Sequence, residues 1–187
     1  MVIESIKSEY QRYKSLAETA ISQVKDDHLH KVLGEDANSI AVVVKHISGN
    51  LKSRLTNFLT EDGEKSWRNR DEEFEERFEN RTDLLKSWDE SWRILFDQIN
   101  SLKDSDLSKV VRIRSKELTV SDALQRSLAH VSYHVGQIVL MARIQVGKDW
   151  KSLSIARGKS QEYNLSPTKE RQPTQVASTR PPQKGGG

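Results

Sequence analysis

The segment QRSLAHVSYHVGQIVLMAR, residues 125–143, places His130 and His134 four apart in what reads as one helix. On a helix of 3.6 residues per turn, such positions lie within roughly 40° of each other. Both imidazoles can then reach one metal ion, as in zinc motifs with i, i+4 histidines. The spacing alone leaves a second reading open, in which the histidines are hydrogen-bonded at the edge of a core. The neighbours bear on this. Ala123, Ser127, Gln137 and Met141 share the histidine stripe. They are small or neutral, where a solvated face of this chain would carry Lys and Glu.

The segment around His46 repeats the arrangement. Ser39, His46, Asn50, Ser53 and Asn57 fall on one narrow stripe without a fixed charge, and Lys45 and Lys52 lie away from it. If the two stripes face each other, three imidazoles converge. Three protein ligands with an open position is the arrangement of a catalytic metal site. The chain has no cysteine, so a metal must be held by His, Asp or Glu. His28 and His30, two apart in DDHLHK, do not share a helical face and are expected on the surface.

A second group of chemistry-bearing residues lies in WRNRDEEFE: Trp67, Arg68, Arg70 and Asp71. A loop with Trp and Arg can close over an anionic or aromatic substrate, the guanidinium acting as a bidentate clamp. The plainer alternative is an Arg70–Asp71 ion pair with Trp67 plugging the end of the fold. The run EEFEERFE reads as a solvated face. A fourth ligand from Asp71 or Glu73 would close the metal site and favour a structural role.

Four helices are expected to position these groups. Ile3, Ile6, Tyr10, Tyr13, Ala17, Ala20 and Val24 recur at steps of three and four, the seam of a bundle helix. Asn38 or Ser39 can cap a second helix running to about Leu59. Some twenty residues with little apolar periodicity follow, and connections this long are usually functional or disordered. Thr82 opens a third helix with Leu85, Trp88, Trp92, Leu95, Ile99 and Leu102 as its seam. The Trp88/Trp92 pair lies on that seam and reads as core. VVRIRSKELTV alternates as a short hairpin. Thr119 with Asp122 resembles a capping box, starting a fourth helix to about Val146. The expected fold is an all-α four-helix bundle, with a crossover between the second and third helices.

Two of these segments, NSIAVVVKHISGNLKSR and SLAHVSYHVGQIVLMAR, resemble the DinB/YfiT-like superfamily of metal-dependent enzymes. DGEK…RNRDEEF and SLSIARGKS (residues 152–160) resemble one branch of it, in which the last element usually reads SLSIPRGxS. Here Ala156 replaces the proline, and Val135 stands where many relatives have Arg. The resemblance covers about residues 3–164. It implies up-down-down-up topology and a divalent metal (Zn, Ni, Fe or similar) on His46, His130 and His134. It also implies a thiol S-transferase using a low-molecular-weight thiol, or a related hydrolase. By position, Asn50, one turn from His46, would orient a ligand or bound water and Gln137 would fix a ring tautomer; the plainer alternative is that each only hydrogen-bonds a neighbour. The alternative is a non-catalytic stress or binding protein with a structural metal, forming a homodimer through helix faces.

Composition limits the remaining classes. Lys and Arg total 30 against 27 Asp and Glu. Residues 166–187 carry four basic residues against one acid, so the rest is near neutral. A basic footprint for nucleic acid is not expected. No signal peptide or spanning segment is read, so no membrane association is expected and the cytoplasm is the default location. The domain is expected over residues 1–164, and 165–187 as a disordered basic tail.

Overall fold

The computed structural model describes residues 2–75 and 78–167. The chain divides into two units at Lys151/Ser152. The first carries five α-helices and one hairpin: α1 (Val2–Ile21), α2 (Ile40–Leu55), α3 (Glu72–Glu75), α4 (Arg81–Ser101), β1 (Val110–Ile113), β2 (Lys116–Thr119) and α5 (Val120–Val146). The second carries α6 (Ser160–Leu165). The chain is mostly helical, as expected. The residues of the expected tail from 168 on lie outside the described residues.

The long helices bury most of the seams that the periodicity picks out; on α4 Leu84 is buried in place of the expected Leu85, and Leu85 and Tyr13 are half-buried. α1 packs on α5 and α2 on α4, with α2 also against α5 and α1 against α4. Tyr10, Ile47, Leu51, Leu84, Trp88, Trp92, Leu95, Leu124 and Val131 are fully buried. Each such side chain contributes about 1.5–3 kcal/mol relative to exposure. Trp88 and Trp92 are core, their ring centroids 5.2 Å apart.

Capping sets the helix starts. Ser39 Oγ accepts from Val42 N, and Thr119 Oγ1 accepts from Asp122 N. α4 begins one residue before the expected Thr82. Asn80 is its cap, accepting from Asp83 N at 3.0 Å, and Asn caps at least as well as Thr. α2 ends at Leu55 instead of about Leu59. Thr56 turns to extended backbone and Asn57 takes a left-handed φ of 50°.

The hairpin is antiparallel, with Val111 opposite Leu118. Its turn residues Arg114 and Ser115 both have positive φ, 54° and 60°. A two-residue turn of this hand matches strand twist but favours Asn and Gly. Here Asp62 compensates from outside the hairpin. Its carboxylate accepts from Arg114 N and Ser115 N at 2.8 and 2.6 Å. No helix among the described residues is long and apolar enough to cross a membrane.

Candidate metal centre

His46 sits in the middle of α2, and His130 and His134 one turn apart on α5. The packing of α2 against α5 brings the three rings together. Their centroids lie 5.1 Å (His46–His130), 4.8 Å (His46–His134) and 4.5 Å (His130–His134) apart. Each offers one ligand atom, all within 4.8 Å of one another, so the three could hold a metal ion.

Hydrogen bonds decide which nitrogens are available. His46 Nδ1 lies 2.9 Å from Glu73 Oε2, and His134 Nδ1 lies 2.8 Å from Gln137 Oε1. Both partners are acceptors, so each Nδ1 carries the proton and each Nε2 keeps its lone pair. His46 Nε2 and His130 Nε2 then face each other at 3.1 Å. Nitrogens bound at about 2.0–2.1 Å to one tetrahedral or octahedral ion stand roughly 3 to 3.4 Å apart. The donor set suits a divalent cation, and the spacing of the His46–His130 pair matches one.

For His130 and His134 the electrostatics favour the neutral ring, the form that ligates. Burial pushes the His130 pKa down to about 4, helped by the neighbouring His134 and His46 and by Arg68 and Arg54. Burial also lowers the His134 pKa, against the opposing effect of the hydrogen bond that His134 Nδ1 donates to Gln137 Oε1. For Glu73, burial would raise the pKa, but hydrogen bonds from His46 and Arg68 outweigh it, and the carboxyl is held below its usual range. It is thus an anion at neutral pH.

Glu73 is held as well as holding. Arg68 Nε donates to its Oε1 at 2.7 Å and Arg68 Nη2 to its Oε2 at 2.9 Å. Both side chains are buried, at 2% and 7% exposure, and bidentate pairs of this kind fix geometry as well as charge. With its oxygens committed to Arg68 and His46, Glu73 supports a histidine and does not stand as a fourth ligand. α2 accommodates it through Gly49, where an added Cβ would strike the Glu73 carboxylate. Phe74 covers the other face of His46, ring centroids 5.1 Å apart.

A cavity of about 340 Å³ shares a wall with His46 and His130. Asn50, Arg54, Arg68, Arg70, Arg114, Arg126 and Ser127 also line it.

A family model, Protein of unknown function (DUF1572), matches residues 1–159. The chain belongs to this family. No curated protein matches it. DUF1572 is a DinB-like family, which agrees in kind with the resemblance carried by the two histidine segments.

For this DUF1572 chain, the structure brings together part of the expected residue set. His46, His130, His134 and Gln137 form one cluster, with Asn50 and Arg70 on the adjoining cavity. Trp67 is 58% exposed; it neither lines the cavity nor plugs the fold. Asp71 is exposed, and its backbone carbonyl accepts from Phe74 N. No Arg70–Asp71 ion pair occurs among the described residues. Arg70 instead lies over the Phe74 ring, 5.4 Å from its centroid. EEFEERFE is not a uniformly solvated face, because Glu73 is buried against Arg68 and His46. His28 and His30 are half-buried, and His30 Nδ1 has no hydrogen-bond partner among the described residues.

The DGEK element has a structural meaning the sequence did not disclose. Asp62 caps the hairpin turn. Gly63 N donates to Arg112 O, and Gly63 O accepts from Ser53 Oγ and Arg54 Nη1. Glu64 bridges Arg54 and Arg114 at 3.1 and 2.7 Å. Lys65, 7% exposed, pairs with Glu61. Asp62, Gly63 and Glu64 tie the crossover to α2 and the hairpin, and the Lys65–Glu61 pair lies within the crossover itself. Arg54, Gly49, Arg114 and Arg126 had no local pattern to mark them.

Proposed function

We propose that this protein is a metal-dependent enzyme of the DinB/YfiT-like type, with a divalent ion on His46, His130 and His134. The observation that carries this reading is the pair of Nδ1 atoms committed to Glu73 and Gln137, which leaves the Nε2 lone pairs for a cation. Within it the long helices run up-down-down-up, a topology supported by the packing of α2 on α4 and α1 on α5.

A bound divalent ion would supply Lewis acidity that makes a thiol or water nucleophilic near neutral pH. The chain's own residues do the rest. Glu73 and Gln137 hold the rings in one tautomer and orientation. Arg68 keeps Glu73 ionised and in place. Phe74 shields one face of His46. The cavity gives a small substrate access to that side of the cluster, where Asn50 orients it. The favoured reaction is transfer of a low-molecular-weight thiol to an electrophile, with hydrolysis as the related chemistry. The engagement of Glu73 by Arg68 favours this over a closed structural metal. Tyr133, Leu140 and Ile144, exposed on α5, would suit a homodimer contact.

Thiol consumption in the presence of a reactive electrophile tests the proposal, measured on metal-loaded and metal-stripped protein. Loaded protein should exceed stripped protein and the His46→Ala variant. Equal rates in all three would contradict it.

A further inference from the structure

Five arginines line the cavity beside the histidines, and no acidic side chain does. They come from four separate segments: Arg54 from α2, Arg68 and Arg70 from the crossover, Arg114 from the hairpin turn and Arg126 from α5. Local composition does not explain this, because residues 1–165 are near neutral overall. The fold has gathered like charges at one place, and like charges repel most where water is excluded.

The five are unequal. Arg54 and Arg114 share Glu64, and Arg68 is committed to Glu73. Burial depresses the Arg54 pKa and its bond to Glu64 opposes that, while the charges of Arg68 and Arg114 depress it further. Arg70 and Arg126 have no carboxylate partner among the described residues. Their guanidiniums stand at an opening of about 340 Å³, in the range for a small-molecule site. Guanidinium forks match the two oxygens of a carboxylate or phosphate.

We propose that the cavity holds a small substrate through a carboxylate or phosphate group gripped by Arg70 and Arg126, with the paired arginines as a fixed positive floor. Its role in a reaction rests on the metal reading above, since the anionic group would anchor the substrate's reactive part beside His46 and His130. The anchoring itself needs no metal.

Calorimetric titration of full-length protein tests this with malonate and inorganic phosphate as probes and malonamide as a neutral isostere. At low salt, malonate or phosphate should bind metal-stripped protein and malonamide should not; the tighter probe names the group. Arg70→Gln and Arg126→Gln should each weaken binding about tenfold or more, the scale of a charge-assisted hydrogen bond. Arg93→Gln, whose arginine pairs with Asp97 on α4, should leave binding unchanged. Circular dichroism and metal uptake of the cavity variants should match wild type. Malonamide binding as well as malonate, binding that requires the metal, or wild-type affinity in both cavity variants would overturn the proposal. A protein that takes up no metal yet binds the probes through Arg70 and Arg126 would lose the proposed function and keep this inference.

Discussion

Two polar–aromatic clusters sit in the same helical body and treat their polar atoms differently. Around α1 and α4, Tyr10, Trp88 and Trp92 are fully buried. Tyr10 Oη donates to Leu124 O and Trp88 Nε1 donates to Glu18 Oε1. Burial raises the Tyr10 pKa and keeps the phenol neutral. These groups serve packing. Around α2 and α5, His46 and His134 are each tied through Nδ1 to an acceptor, and His46 Nε2 is turned towards His130 Nε2. A charged carboxylate is buried to hold one of them. The difference teaches that a buried polar group signals chemistry when its partners aim it and do not exhaust it.

Substitutions can test whether the two clusters are independent. Trp92→Ala should have the largest effect, a loss of about 3–5 kcal/mol in urea unfolding. The fraction that stays folded should bind metal as wild type does. Impaired uptake by that fraction would mean the two clusters are one unit. Glu73→Gln should lower metal affinity about 10–100-fold in chelator competition, as loss of a ligand's orienting partner does elsewhere. Gly49→Ala should act by the same route through displacement of Glu73, so the two changes combined should be far from additive. Full additivity would show that Gly49 does not act through Glu73.

A graded effect is expected from pH. His130 in the folded, metal-stripped protein takes a proton only near pH 4, against about 6.5 when unfolded. Between those values the unfolded chain binds more protons, so stability falls as pH drops from about 6.5 towards 4. The urea midpoint should follow that trend, and His130→Gln should flatten it. An equal slope in the variant would remove His130 as the cause.

The sequence was most legible where contacts are periodic. Most of the seams of the long helices and the hairpin follow from steps of three, four and two, and the cap at Thr119 follows from residue type. The three histidines were findable because a neutral stripe on a highly charged chain is conspicuous. The crossover resisted reading for the opposite reason. Glu73 sits in an acidic run where every residue looks alike, and only the ion pair with Arg68 sets it apart. Arg54, Arg114 and Arg126 meet at the cavity through tertiary packing, which leaves no spacing to detect. Trp67, conspicuous by type, is simply exposed.

The most direct measurement of the central claim is metal content by mass spectrometry for wild type and the His46→Ala, His130→Ala and His134→Ala variants, each checked for helical content. Wild type should hold about one divalent ion per chain, and each folded variant only trace metal. Equal metal in all four proteins, or none in wild type after reconstitution, would contradict it.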